Sequence, residues 1–382
     1  MVPGPRTESI SAAQPAGAHR KPATRVAELD GLRGIAILLV VVFHFTPTSG
    51  PLYLLAHVFQ IGWAGVDLFF VLSGYLITGI LLDSAGRPHY YRNFLVRRSL
   101  RIFPLYYACF LLYAFLTFYP SPIHWHDYLH TGNSVWYLFY VGNFDVFLRN
   151  AWPGAAILTP LWSLQVEEQF YWSFPFIVAS VRRQTLATIL TASVIAALLI
   201  RIALAIALPS NLVGAYVLMP CRMDALAMGG LVAVAFREEP EWLKSPRIAW
   251  LTVLSAAVFL AVCIFFNETP WSAAMRILGY TALDLAFTGV LILLIGSRRQ
   301  GLVRLCRLRT LTWLGTISYG LYLLHIPALT VVDRWLAPAL HLTPRGSAAF
   351  FVSFALAIAA ASLSWLAFES QVLRLKNRFA AQ

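Results

Sequence analysis

The chain has 382 residues, 59% of them hydrophobic and only 12% charged, with a mean hydropathy of +0.68. Soluble domains carry about 25% charged and about 45–50% apolar residues, which excludes a soluble enzyme, a disordered chain or a coiled coil as a reading of the whole. The net charge of +12 would suggest nucleic acid in a soluble protein, but no soluble basic domain is visible, and basic residues mark the cytoplasmic loops of membrane proteins. No nucleic-acid partner is expected; membrane lipids are.

In chain order, residues 1–27 read as a mobile cytoplasmic tail, because no apolar core precedes a cleavage site. A membrane domain follows over 28–369, and 370–382 form a second cytoplasmic tail. A spanning helix needs about 20 residues. The apolar runs predict ten: 28–46, 61–82, 102–119, 158–181, 186–208, 211–236, 248–266, 275–296, 311–336 and 347–369. Six basic clusters hold 23 of the 29 Lys and Arg, each separated from the next by two of these spans. Ten spans with both termini in the cytoplasm satisfy every cluster at once. The aromatic-rich stretch 134–148 would break that parity if it crossed, so it is expected to be interfacial or re-entrant. The fold class is therefore an all-α polytopic bundle. The four cysteines (Cys109, Cys221, Cys263 and Cys306) are scattered and read as packing residues.

An ionisable residue within a membrane is a functional candidate by default, with a paired structural group as the alternative. On the first span Arg33 and His44 are eleven residues apart. That is close to three turns, which puts them on one face about 16 Å apart. Asp30 lies one turn below Arg33. Glu167 and Glu168 fall near the bilayer midplane, as do Arg222, Asp224 and Asp284, with His325 higher and Asp67 nearer the outer side. The pattern predicts a polar chamber. Either a proton-coupled transporter or an enzyme whose substrates meet inside the membrane fits it.

The local words narrow that choice. They are Glu28-Leu29-Asp30-Gly31-Leu32-Arg33-Gly34, running on to His44, and Gly65-Val66-Asp67-Leu68-Phe69-Phe70-Val71-Leu72-Ser73-Gly74-Tyr75. Then come Arg97-Arg98-Ser99-Leu100-Arg101-Ile102-Phe103-Pro104, Trp162-Ser163-Leu164-Gln165-Val166-Glu167-Glu168-Gln169-Phe170-Tyr171, Arg222-Met223-Asp224, and Ser318-Tyr319-Gly320-Leu321-Tyr322-Leu323-Leu324-His325. Six such words in this order resemble the acyltransferase 3 family of integral-membrane O-acyltransferases, from about Glu28 to Glu369. The resemblance implies transfer of an acyl group, acetyl first among them, from cytoplasmic acyl-CoA to a hydroxyl of a glycan or a glycosylated small molecule. The acceptor would be a surface polysaccharide, a lipid-linked glycan or a macrolide-type product. It also implies a bacterial cytoplasmic membrane, and that Arg33 and His44 are required. One departure is visible: Phe368-Glu369-Ser370-Gln371 lacks the proline that relatives often carry there. Some relatives carry a further domain after the bundle; this sequence continues for about a dozen residues, so transfer is expected to finish in the bundle or on a partner.

Acyl transfer to an alcohol needs a base, oxyanion stabilisation and a CoA site. His44 is the expected base, since neutral imidazole suits that task near pH 7. Glu167 is expected to orient it as a triad acid does, the alternative being a salt bridge to Arg222. Asp67 is a second candidate orienter, as is Asp224. Arg33, Arg98 and Arg101 are the expected acyl-CoA contacts, because guanidinium binds phosphate bidentately; ordinary cytoplasmic charge is the alternative. Asp30, Arg222, Asp224, His325, Ser73 and Tyr171 complete the expected chamber, although His325 could equally bond within its own helix. His57, His89, His124, His126, His130 and His341 fall in predicted loops, and no metal is expected. A transmembrane acyl carrier or transporter supplying a partner is the competing function, and a non-catalytic scaffold a third.

Overall fold

The computed structural model describes residues 26–118, 134–238, 240–266, 270–296 and 298–375. Among these there is no strand, only an isolated bridge between Ser49 and Gly346. Ten long helices carry the fold: α1 (Ala27–His44), α2 (Gly65–Ser84), α3 (Tyr90–Phe118), α4 (Leu161–Ser180), α5 (Arg183–Ala207), α6 (Met219–Glu238), α7 (Arg247–Phe266), α8 (Tyr280–Ile295), α9 (Arg309–Val331) and α10 (Ser347–Ser364). π-helical turns extend three of them: Met275–Gly279 precedes α8, Val332–Leu336 follows α9, and Trp365–Glu369 follows α10.

Among the described residues, seven segments are long and apolar enough to cross a membrane by length and composition. They are Pro51–Ser84, Arg183–Ala207, Gly214–Glu238, Arg247–Phe266, Met275–Ile295, Arg309–Ala339 and Ser347–Leu375. The other three expected spans are helices as well (α1, α3 and α4), but they carry the charged side chains of the candidate site. Length and composition alone do not set those three across the bilayer. The stretch 134–148 forms two short helices, Ser134–Leu138 and Gly142–Arg149. At about 1.5 Å per residue neither can cross a core about 30 Å thick. They dock on α3 and α4: Tyr106 Oη donates to the Tyr137 carbonyl at 2.6 Å, and Gln165 Oε1 accepts the Asn143 N–H at 2.6 Å.

One boundary differs in a way that matters. The segment before residue 102, expected as a cytoplasmic loop, is the first three turns of α3. Arginine is a good helix former, and the spacing of Arg98 and Arg101 puts both on one helix face. Pro104, which lies inside α3, does not end the helix. The two guanidinium groups are thus fixed by a helix rather than carried on a loop.

Glycine sets the closest helix contacts, as in membrane bundles generally. Gly34 of α1 lies against the Leu311 carbonyl of α9, and Gly315 of α9 against the Asp30 carbonyl of α1. Neither position has room for a methyl group. α1 and α9 lie side by side, and they run parallel: Glu28 at the start of α1 pairs with Arg307 just before α9, and His44 at its end meets His325 in the second half of α9. Gly74 of α2 and Leu226 of α6 make a similar contact. α2 and α6 are largely buried, whereas α5, α7 and α10 leave most of their apolar surface outward, as helices facing lipid do.

Candidate active site

Among the described residues, three groups of polar side chains hold the residues expected for the site. The first is a cavity of about 80 Å³ bounded by Arg33 of α1, Ser73 of α2, Arg98 and Arg101 of α3, Ser163, Glu167 and Tyr171 of α4, and Tyr319 and Tyr322 of α9. Glu167 is its one carboxylate. Its Oε1 accepts the Ser73 hydroxyl at 2.5 Å and its Oε2 accepts the Tyr171 hydroxyl at 2.9 Å. The Arg98 guanidinium lies over the Tyr171 ring at 5.5 Å, a cation–π contact that leaves its donors free to turn elsewhere. Glu168, about 100° round the same helix, instead accepts Trp172 Nε1–H at 3.0 Å. Only one of the two adjacent glutamates faces the cavity.

A wider cavity of about 260 Å³ adjoins it, sharing Arg33, Arg101 and Tyr319 and adding Asp30, Trp365 and Glu369. Asp30 lies 3.6 Å from Arg33. Glu369 accepts the Ser364 hydroxyl at 2.9 Å. Arginines on α1 and α3 thus line both cavities.

The second group sits further along α1 and α9. Tyr322, which lines the arginine cavity, shares a hydrogen bond with Ser163 Oγ at 2.6 Å. One turn on, His325 is fully buried, and its Nε2 lies 3.3 Å from His44 Nδ1. The two imidazoles meet edge-on with centroids 4.8 Å apart. His44 Nδ1 is also 2.9 Å from the Val40 carbonyl, and His325 Nδ1 is 2.7 Å from the Tyr322 carbonyl. A carbonyl only accepts, so each Nδ1 carries its hydrogen, and His44 Nε2 is left with its lone pair. The end of α1 is fastened from the loop before α10: Arg345 Nη1 donates to the His44 carbonyl at 2.7 Å, and the Arg345 backbone N–H donates to Asp333 Oδ1 at 3.1 Å.

The third group is sealed. Asp67 of α2 is ion-paired with Arg222 of α6, and Asp224 of α6 lies 2.7 Å from Arg201 of α5. All four side chains, and Asp284 of α8, have no exposure. Arg222 lies over the Tyr280 ring at 4.3 Å, and Arg201 also donates to the Cys221 carbonyl and to Thr281 Oγ1. The two ion pairs and the Arg201–Thr281 bond tie α2, α5, α6 and α8 together, and no surface reaches them.

The expected single chamber is therefore divided. Arg33, Arg98, Arg101, Glu167, Ser73 and Tyr171 meet in the arginine cavity, with Asp30 beside them. His44 and His325 form their own pair. Asp67, Arg222 and Asp224 belong to the sealed network, so Asp67 is held away from His44. The polar side chain that meets the His44 ring is His325, whereas Glu167 is bonded by Ser73 and Tyr171. Arg222, the alternative partner weighed for Glu167, is taken by Asp67. His325 bonds within its own helix through Nδ1, lines neither cavity, and turns Nε2 towards His44 instead. Sequence reasoning missed Arg201, Asp333 and Arg345, none of which stands in a motif. His124, His126 and His130 lie outside the described residues. Among the described residues no three His, Cys, Asp or Glu side chains converge as a metal site.

Comparison with known proteins agrees with this architecture. A family model described as an acyltransferase domain matches residues 26–366. YrhL of Bacillus subtilis, whose name proposes a peptidoglycan O-acetyltransferase, is 30% identical over 334 residues, which is 79% of this chain and 48% of YrhL. The peptidoglycan O-acetyltransferase OatA of Listeria monocytogenes is 26% identical over 83% of this chain and 51% of its own length. The O-acetyltransferase OatA of Staphylococcus aureus is 27% identical over 80% and 51%. The chain thus spans about half the length of the curated relatives it matches. No solved structure matches it. The family match covers nearly all of the helical bundle, including every residue of the arginine cavity and both histidines: the chain belongs to the acyltransferase 3 family.

Proposed function

We propose that this chain is a membrane-embedded O-acetyltransferase that takes acetyl from cytoplasmic acetyl-CoA and places it on a sugar hydroxyl of a peptidoglycan-type glycan. The observation that carries this reading is the arrangement along α1. Three arginines gather at one end, and a histidine whose Nδ1 is held at the Val40 carbonyl stands about three turns further on. CoA is anionic through its phosphates, and guanidinium groups on α1 and α3 suit them. Its pantetheine arm would pass Ser73, Ser163 and Tyr322 towards the histidine pair, bringing the thioester to His44.

The chemistry then balances without another reactant. The acceptor O–H gives its proton to His44 Nε2 as oxygen attacks the thioester carbonyl. The tetrahedral intermediate collapses, the C–S bond breaks, and the thiolate takes the proton back from His44 as CoA leaves. Glycan specificity is supported by the relatives, two of which are named for acting on peptidoglycan.

The experiment places the full chain in vesicles with radiolabelled acetyl-CoA inside and soluble uncrosslinked peptidoglycan strands outside. The proposal expects label on the external glycan. Label that appears outside only as free acetate or acetyl-CoA supports the carrier reading instead.

A further inference from the structure

We infer that His325 is a positioning residue for the base: it fixes the plane of the His44 imidazole and accepts its Nδ1–H as positive charge forms on that ring. The inference rests on the reading of His44 as the base and names a partner for it.

The argument is one of donors and acceptors. His325 Nδ1 lies 3.2 Å from the Leu321 carbonyl and 2.7 Å from the Tyr322 carbonyl. Neither can donate, so the His325 proton sits on Nδ1 and Nε2 is an acceptor. That acceptor is 3.3 Å from His44 Nδ1, whose own hydrogen is required by the Val40 carbonyl at 2.9 Å. The His44 N–H is thus shared between a carbonyl on its own helix and an imidazole from another. The carbonyl alone would fix the tautomer. The imidazole adds a second direction, and with it the angle at which Nε2 presents its lone pair.

A triad carboxylate does the same for a serine hydrolase histidine. Here a carboxylate would place a permanent charge inside the bundle, which is expensive in a membrane. A neutral imidazole carries none in the resting state and still stabilises the imidazolium once it forms. The charged groups facing the pair are Arg345, which donates to the His44 carbonyl, and Asp333, which holds Arg345. The spacing is set from below, because the Gly34 and Gly315 contacts fix how closely α9 lies on α1.

The test uses the purified full chain, acetyl-CoA and soluble peptidoglycan strands, with free thiol as readout. His325→Leu is expected to lower kcat about 10- to 100-fold, the range of a charge-assisted hydrogen bond, while KM for acetyl-CoA and the thermal midpoint stay close to wild type. His325→Gln, whose amide oxygen can accept the same N–H, is expected to recover at least half of that loss on a logarithmic scale. Equal loss in both variants, or loss that tracks a fall in thermal midpoint, assigns His325 a structural role and overturns the inference. So does unchanged kcat in both variants while His44→Ala is inactive, and the reading of His44 then stands. Full activity in His44→Ala removes the reading and the inference together.

Discussion

The Ser73 hydroxyl of α2 lies 2.5 Å from Glu167 Oε1 of α4, at the floor of a cavity that three arginines surround. That bond, with the one from Tyr171, orients the only carboxylate there and keeps it from pairing bidentately with a guanidinium. Arg98 and Arg101 are left available to an anion, while Arg33 lies 3.6 Å from Asp30.

Glu167→Gln keeps one acceptor oxygen, puts an NH2 donor where the other was, from which a hydroxyl can accept, and removes the negative charge. The cavity then becomes more cationic. KM for acetyl-CoA should fall roughly two- to fivefold, the effect of one partly solvated charge interaction. Steady-state kinetics over a range of ionic strength checks this, since the difference should shrink as salt rises. A raised KM would mean that Glu167 contacts the donor directly.

Arg98 and Arg101 share one face of α3 and line the same cavity. Arg98→Lys and Arg101→Lys keep the charge and lose the planar fork, so each should raise KM for acetyl-CoA by about tenfold. kcat should change little. Titration calorimetry with CoA itself separates this from an effect on chemistry.

The Asp67–Arg222 pair has no exposed surface on either side chain. Removing one partner strands a charge, which costs about 3–5 kcal/mol. Asp67→Leu or Arg222→Leu alone should fail to give a stable protein in detergent. The double variant should regain most of the thermal midpoint, because two matched apolar residues replace the pair. Unchanged stability in either single variant would place a water or another partner there.

Gly34 faces the Leu311 carbonyl so closely that a methyl group has no room. Gly34→Ala should force α1 away from α9, and with it His44 from His325. Activity should fall by at least tenfold, with about 1–3 kcal/mol of stability lost, as overpacking usually costs. Gly301, beside which a new methyl group would meet nothing, is the control: Gly301→Ala should be neutral.

Much of the architecture is legible in the sequence because hydropathy and arginine placement are local properties. The span limits of α5, α7 and α8 fall within a few residues of those expected, and the Arg33–His44 face follows from helical geometry alone. What is not local is not legible. Arg201 sits in an apolar run with no motif around it, and only the packing of α5 on α6 reveals its bond to Asp224. Arg345 reads as a loop charge until the loop is seen folded onto the end of α1. The partner of His44 lies 281 residues away. Glu167 is the more familiar guess by analogy with triads, and the helix that carries it brings it to the arginines instead. The start of α3 was obscured because arginine-rich sequence suits a helix and a cytoplasmic loop equally well.

The central claim is that His44 Nε2 takes the proton of the acceptor hydroxyl. The most direct measurement is CoA release from acetyl-CoA by the purified chain, with and without soluble peptidoglycan strands, compared between wild type and His44→Ala, each shown by calorimetry to bind CoA. The account predicts that strands stimulate release in wild type, that stimulation is lost in His44→Ala, and that CoA affinity is the same in both. Equal stimulated release by the two proteins would contradict it.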